Sequence, residues 1–150
     1  MSDLKQQLYQ ASLAQITARI QAVEEAMQAV QADAAEETKS SAGDKYETGR
    51  AMIHLEMEKL SSQLEEFIKS KKTLEQIDLQ KRSDTVQQGA VILTDDSHYF
   101  LSVSLGQLRV GDKSFFCISP ASPVGQALLG KKKGDVVSFR NQRIVLREVL

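Results

Sequence analysis

The chain has 150 residues, 26% of them charged, and a formal net charge of −1. That length holds one ordinary domain or two small ones, and the near-neutral charge argues against nucleic-acid binding driven by bulk electrostatics. With one cysteine there is no internal disulfide; with no apolar run near the roughly 18 residues a membrane helix needs, and no leader-like character in MSDLKQQLYQ, the sequence reads as cytoplasmic.

The charge is unevenly spread. Residues 1–85 hold 15 acids against 11 Lys/Arg, and residues 86–150 hold 5 against 8, which suggests two parts with different neighbours. The first part has no proline, no glycine before Gly43, and an abundance of Ala, Gln, Glu, Lys and Leu, the good helix formers. Tyr9, Leu13, Ile16, Ile20, Val23, Met27, Val30 and Ala34 recur in alternating steps of four and three, the apolar seam of a coiled coil. A second seam runs through Tyr46, Ile53, Met57, Leu60, Leu64, Phe67 and Leu74, with Arg50 and Lys71 as its polar members. The seams mirror each other about residue 40: Ala34 faces Tyr46, Met27 faces Ile53, Val23 faces Met57, Ile20 faces Leu60, Ile16 faces Leu64 and Leu13 faces Phe67. That register predicts an antiparallel helical hairpin over residues 1–78, with arms roughly 45 Å long at about 1.5 Å per residue.

The two seams are separated by SSAGDKYETGR, residues 40–50. Ser40, Ser41 and Gly43 are turn and cap residues, and residues 35–47 form an expected acidic tip. Asp44 and Glu47 stand three apart. One reading is a capping box, with Asp44 as N-cap and Glu47 reaching back from the third helical position. The other is a carboxylate pair on one helix face, able to share a hard cation such as Mg²⁺, which accepts one or two protein carboxylates and keeps several waters. An exposed pair binds such an ion weakly and makes sense if another protein supplies the remaining ligands. The readings are compatible.

Residues 79–88 read as a polar linker. From residue 89 the texture changes: GAVIL, YFLSVSL and KSFFCI are β-rich runs separated by turns at Asp95-Asp96-Ser97 and Val110-Gly111-Asp112. SPVGQALLG predicts a short helix with Ser122 as N-cap, Pro123 at its first position and Gly130 closing it. DVVSF and QRIVLREVL predict two further strands. Residues 89–150 are thus expected to form a small α+β domain with a mostly antiparallel sheet. Cys117 reads as a buried structural thiol, His54 as a helix-flank residue, His98 as part of a solvated turn, and Lys131-Lys132-Lys133 as an exposed basic turn. The sequence holds no Ser/His/Asp set, no phosphate loop and no zinc spacing.

SPVGQALLGKKKGDVV resembles the C-terminal signature of the Gre (GreA/GreB) transcription elongation factors, carried by Ser122, Pro123, Ala127, Leu128, Gly130, Lys131, Gly134, Asp135, Val136 and Val137. AGDKYE resembles the Gly-Asp-x-x-Glu at the end of their helical hairpin, with Gly43, Asp44 and Glu47 in the matching places. The order, hairpin first and FKBP-like α+β domain second, is also the same. The resemblance implies an accessory factor rather than an enzyme. It docks on bacterial RNA polymerase at the rim of the secondary channel, with Ser122, Pro123, Lys131 and Asp135 as polymerase-binding residues. Its tip, in indirect contact with nascent RNA, stimulates cleavage of backtracked transcript. Asp44 is then the acid holding a Mg²⁺ shared with the polymerase, and Glu47 orients water or supports the metal. The likeness departs after Glu47: Gre factors typically read Asn-Ala-Glu-Tyr, and this chain reads Thr48, Gly49, Arg50 and Ala51. It is also shorter than usual between Leu108 and Phe115.

Three alternatives stand beside this reading. One is a channel-binding transcription regulator without cleavage activity. A prolyl isomerase needs an aromatic-lined pocket, against which stand the absence of Trp and an aromatic content of 5%. A plain coiled-coil scaffold predicts a dimer, whereas the mirrored register predicts a monomer.

Overall fold

The computed structural model describes the backbone of residues 2–38 and 43–150, and side-chain surroundings for residues 3–36 and 49–150. Two long helices, α1 (Ser2–Thr38) and α2 (Gly43–Glu75), precede β1 (Val91–Leu93), β2 (His98–Leu101), β3 (Gly106–Val110), β4 (Lys113–Ile118), α3 (Pro123–Leu128), β5 (Val136–Phe139), β6 (Gln142–Val145) and β7 (Glu148–Val149). The class is α+β, an antiparallel helical hairpin followed by a sheet-rich domain. The chain divides into two units. Residues 16–69 form one, and residues 1–15 together with 70–150 form the other.

The described residues of the first unit are all helical. Its burial follows the seam: Ile16, Val23 and Leu60 are buried, and Ile20, Met27, Val30, Ala34, Ile53, Met57, Leu64 and Phe67 are half-buried. The acids and amides between them, Glu24, Glu25, Glu56 and Gln63 among them, face solvent. Arg50, on the seam's spacing, is exposed. A pair of helices covers only one stripe of each, so most seam side chains gain less than the about 1.5–3 kcal/mol of full burial. No helix among the described residues is long and apolar enough to cross a membrane.

The second unit has a five-stranded sheet in the order β3-β4-β2-β1-β7 and a two-stranded sheet of β5 and β6. All pairings are antiparallel except β2 with β4, which run parallel with His98 opposite Phe115 and Leu101 opposite Ile118. YFLSVSL, read as one run, ends as a strand at Leu101. Ser102 turns the chain, and GQLRV forms the edge strand β3, which the alternation of the sequence did not announce. QRIVLREVL likewise splits, β6 going to the small sheet and β7 to the large one.

Both faces of the large sheet are covered. One carries Ile92 and Leu101, which join Val86, Leu128, Val137, Ile144 and Leu146 from α3, the small sheet and the flanking loops in an apolar cluster. The other presents Val91, Phe100, Phe115 and Cys117, all essentially inaccessible. On that side Ser12 of α1 places its Oγ 3.7 Å from the Cys117 Sγ. Along α1, Lys5, Leu8, Ser12 and Ile16 are all buried, at helical spacing. Two of the four are polar, so apolar periodicity does not reveal this stripe, and Lys5, Leu8 and Ser12 lie off the seam that begins at Tyr9, which the stripe meets only at Ile16.

The stretch 79–88 is pinned rather than loose. Val86 is buried, its N–H donates to Lys131 O (2.8 Å), and its carbonyl accepts from Gly130 N (2.9 Å). Thr85 bridges to Lys132.

Candidate functional site

Helix α2 begins at Gly43, so Asp44 lies within its first turn rather than capping it from outside. Asp44 and Glu47 stand three residues apart in that helix, a spacing that puts two positions on one helix face. Their side-chain surroundings fall outside the described residues, as do Ser40, Ser41 and the remainder of the turn. On the near sides, Asp33 and Glu36 of α1 and Arg50 of α2 are exposed, and Gly49 interrupts the good helix formers at a cost of about 1 kcal/mol relative to Ala. Two carboxylates suit a hard cation that keeps most of its water. Among the described residues no group of three or more His, Cys, Asp or Glu is placed to hold a metal.

The second candidate region is the turn-helix-turn of residues 119–137. Ser122 caps α3: its Oγ accepts from Gly125 N–H (3.1 Å) and donates to Ser119 O (2.7 Å). Pro123 follows at the first helical position and is exposed. Gly125 is required by space, because a Cβ there would overlap the Ser119 carbonyl oxygen and crowd Ser122 Oγ. Asp135 ties the turn, its Oδ2 accepting from Lys132 N–H (2.8 Å) while its carbonyl accepts from Leu146 N–H (3.0 Å). Gly134 takes a positive φ of 91° and donates its N–H to Leu146 O (2.7 Å). The side chains of Ser122 and Asp135 are therefore engaged within the fold. Pro123, Lys131 and Asp135 are exposed and Ser122 is half-buried, and of the exposed three Pro123 and Lys131 have no side-chain hydrogen bond shown within the turn.

Lys133 pairs with Glu148 (3.0 Å), and Arg147 grips Asp95 through two parallel hydrogen bonds of 2.9 and 2.8 Å. That fork holds the Asp95 carboxyl below its usual range. His98 is not in a solvated turn. It opens β2, accepts from Thr94 N–H at Nδ1 (3.3 Å) and sits 5.4 Å, ring to ring, from Phe115. Burial, then the nearby Lys113, depresses its pKa. His54 is exposed on the helix flank, 3.2 Å from Glu58 one turn on. Cys117 is buried, and burial pushes its thiol up to about 11 despite the hydrogen bond with Ser12. It is an inert structural thiol.

Residues 81–148 match the family described as transcription elongation factor, GreA/GreB, C-terminal. Among solved structures, the transcription factor Gfh1 is 18% identical over 93% of each chain with a TM-score of 0.37. GreA factor homolog 1 (Gfh1) of Thermus thermophilus is also 18% identical, covering 93% of this chain and 95% of that one, with a TM-score of 0.36. The comparison with curated proteins gives no match.

Proposed function

We propose that this chain is a Gre-like factor that binds bacterial RNA polymerase through its secondary channel and stimulates cleavage of backtracked RNA, acting as a cytoplasmic monomer. The observation that carries the reading is the union, in one chain, of a match to the GreA/GreB C-terminal family over residues 81–148 with a helical hairpin whose second arm opens on Asp44 and Glu47. The host active site contributes the catalytic Mg²⁺, whose chemistry is to stabilise charge on the attacking and leaving oxygens. Asp44 would add a hard oxygen ligand to that ion, and Glu47 would orient the attacking water or support the metal. Pro123 and Lys131 offer an exposed apolar ring and a cation to the polymerase surface, while Ser122 and Asp135 hold the turn that presents them.

A second reading, a channel-binding regulator without cleavage, draws support from Arg50. It is exposed on α2 three residues past Glu47, and a cation at that point opposes metal capture. One assay separates the readings. Added to a stalled, backtracked elongation complex, the protein should accelerate RNA cleavage at least 100-fold, and Asp44→Asn or Glu47→Gln should remove that acceleration while leaving polymerase binding intact. Binding without cleavage would install the second reading, and failure to bind polymerase would sink both.

A further inference from the structure

Lys5 is the only buried charged side chain among the described residues, with 7% of its surface exposed. Buried cations are ordinarily paired. Lys5 has no carboxylate within ion-pair distance among the described residues, and its Nζ spends one of three donors on Lys81 O (3.1 Å). Its near neighbour is another cation, Arg82, which likewise makes no ion pair among the described residues. Burial, then Arg82, lowers the Lys5 pKa, and only Asp78, acting more weakly, opposes them. Lys5, buried, and Arg82, exposed, thus bring two like charges to one part of the surface.

Both line one cavity of about 370 Å³ within the unit formed by residues 1–15 and 70–150. Leu79, Val149 and Leu150 supply apolar wall, and Gln80 and Ser83 supply polar edges. Asp84, exposed, also lines it, and the Leu150 carbonyl is turned to β1, accepting from Val91 N–H. We propose that this cavity binds a small phosphate-bearing molecule, its phosphoryl group held between Lys5 and Arg82 and its organic part against Leu79 and Val149. A dianion matches two adjacent cations better than a carboxylate does, and the planar Arg fork beside a Lys point charge fits phosphoryl oxygens. The volume is that of a small-molecule pocket, with the mixed apolar and polar lining such pockets have.

The test uses the full chain in thermal melts at constant ionic strength, with inorganic phosphate, adenosine monophosphate, sodium acetate or sodium chloride. Lys ε-CH₂ NMR signals are followed in parallel. Phosphate should raise Tm saturably and shift the Lys5 signal, and adenosine monophosphate should do so at lower concentration. Arg82→Gln, an exposed change, should weaken both responses at least tenfold. Lys5→Met should abolish the Tm response, and Lys133→Met should leave it as in wild type. Responses no larger than those to chloride or acetate, or unaltered by Arg82→Gln, overturn the proposal. So does a short RNA oligonucleotide that binds through these two residues more tightly than the mononucleotide.

Discussion

The helical unit of residues 16–69 and the unit built from residues 1–15 and 70–150 solve the burial problem in opposite ways. The first uses repetition. Every third or fourth residue is apolar, the helices satisfy their own backbones, and Ile16, Val23 and Leu60 are buried by following that beat. The second uses long-range meetings: Ile92 with Val149, Phe100 with Cys117, Ser12 with Cys117. A repetitive unit spreads its stability thinly and tolerates changes at any one position. A domain of unique contacts concentrates it in a few places that tolerate nothing. The proposed working acids, Asp44 and Glu47, stand at the end of the repetitive part, and the cap and turn residues of 119–137 stand at the intolerant points of the other.

Gly125→Ala should sharpen the contrast most. The added methyl must displace the Ser119 backbone, costing about 3 kcal/mol. In near-UV circular dichroism the domain signal should melt earlier while the helical signal at 222 nm is largely retained. Coincident loss of both would show one cooperative unit and break the comparison.

Alkaline pH should come next. The Cys117 thiol, raised to about 11 in the folded chain from an ordinary 9.0, favours folding at every pH below the ordinary value. That contribution, about 2–3 kcal/mol, is lost as pH climbs through 9 towards 11. Lys5 works in the other direction. Its lowered pKa is a penalty that fades as pH rises towards its ordinary 10.5. Comparison with Cys117→Ala therefore isolates the thiol: between pH 8 and 11 wild type should lose more stability than the variant in urea titrations. Parallel curves would refute the assignment.

In the helical unit Leu60→Ala should cost about 2 kcal/mol, at the low end for a buried leucine because a two-helix seam can close over the gap. The helical signal should melt earlier, with the domain's near-UV signal unmoved. A cost above that of Gly125→Ala would reverse the ranking of the two regions.

The smallest effect belongs to the β5–β6 hairpin, where Arg140 and Asn141 take positive φ values of 51° and 65° between paired Phe139 and Gln142. Such a turn favours Asn-Gly. Replacing Arg140→Asn and Asn141→Gly together should stabilise the domain by about 1 kcal/mol, less whatever is lost with the Arg140 guanidinium over the Phe139 ring at 5.1 Å. An unchanged or lower Tm would show that the cation–ring contact outweighs the backbone strain.

The amino-acid sequence by itself determined what repeats or what is chemically singular nearby. The seam spacing specified both long helices, Gly43 and its neighbours marked the break, and Ser122-Pro123 announced α3 to the residue. Those features are local, because a helix writes its period into any ten residues and a cap acts within a single turn. Tertiary structure alone decided the parallel pairing of β2 with β4, the recruitment of GQLRV as an edge strand, and the pinning of Val86 against the turn after α3. It also decided the face of α1 that turns Lys5, Leu8 and Ser12 inward, and with it the cavity shared by Lys5 and Arg82. Lys5 and Ser12 are polar, and their partners lie 76 and 105 residues away in the chain. No local pattern records such a distance, so a buried lysine looks from the sequence like any other surface charge.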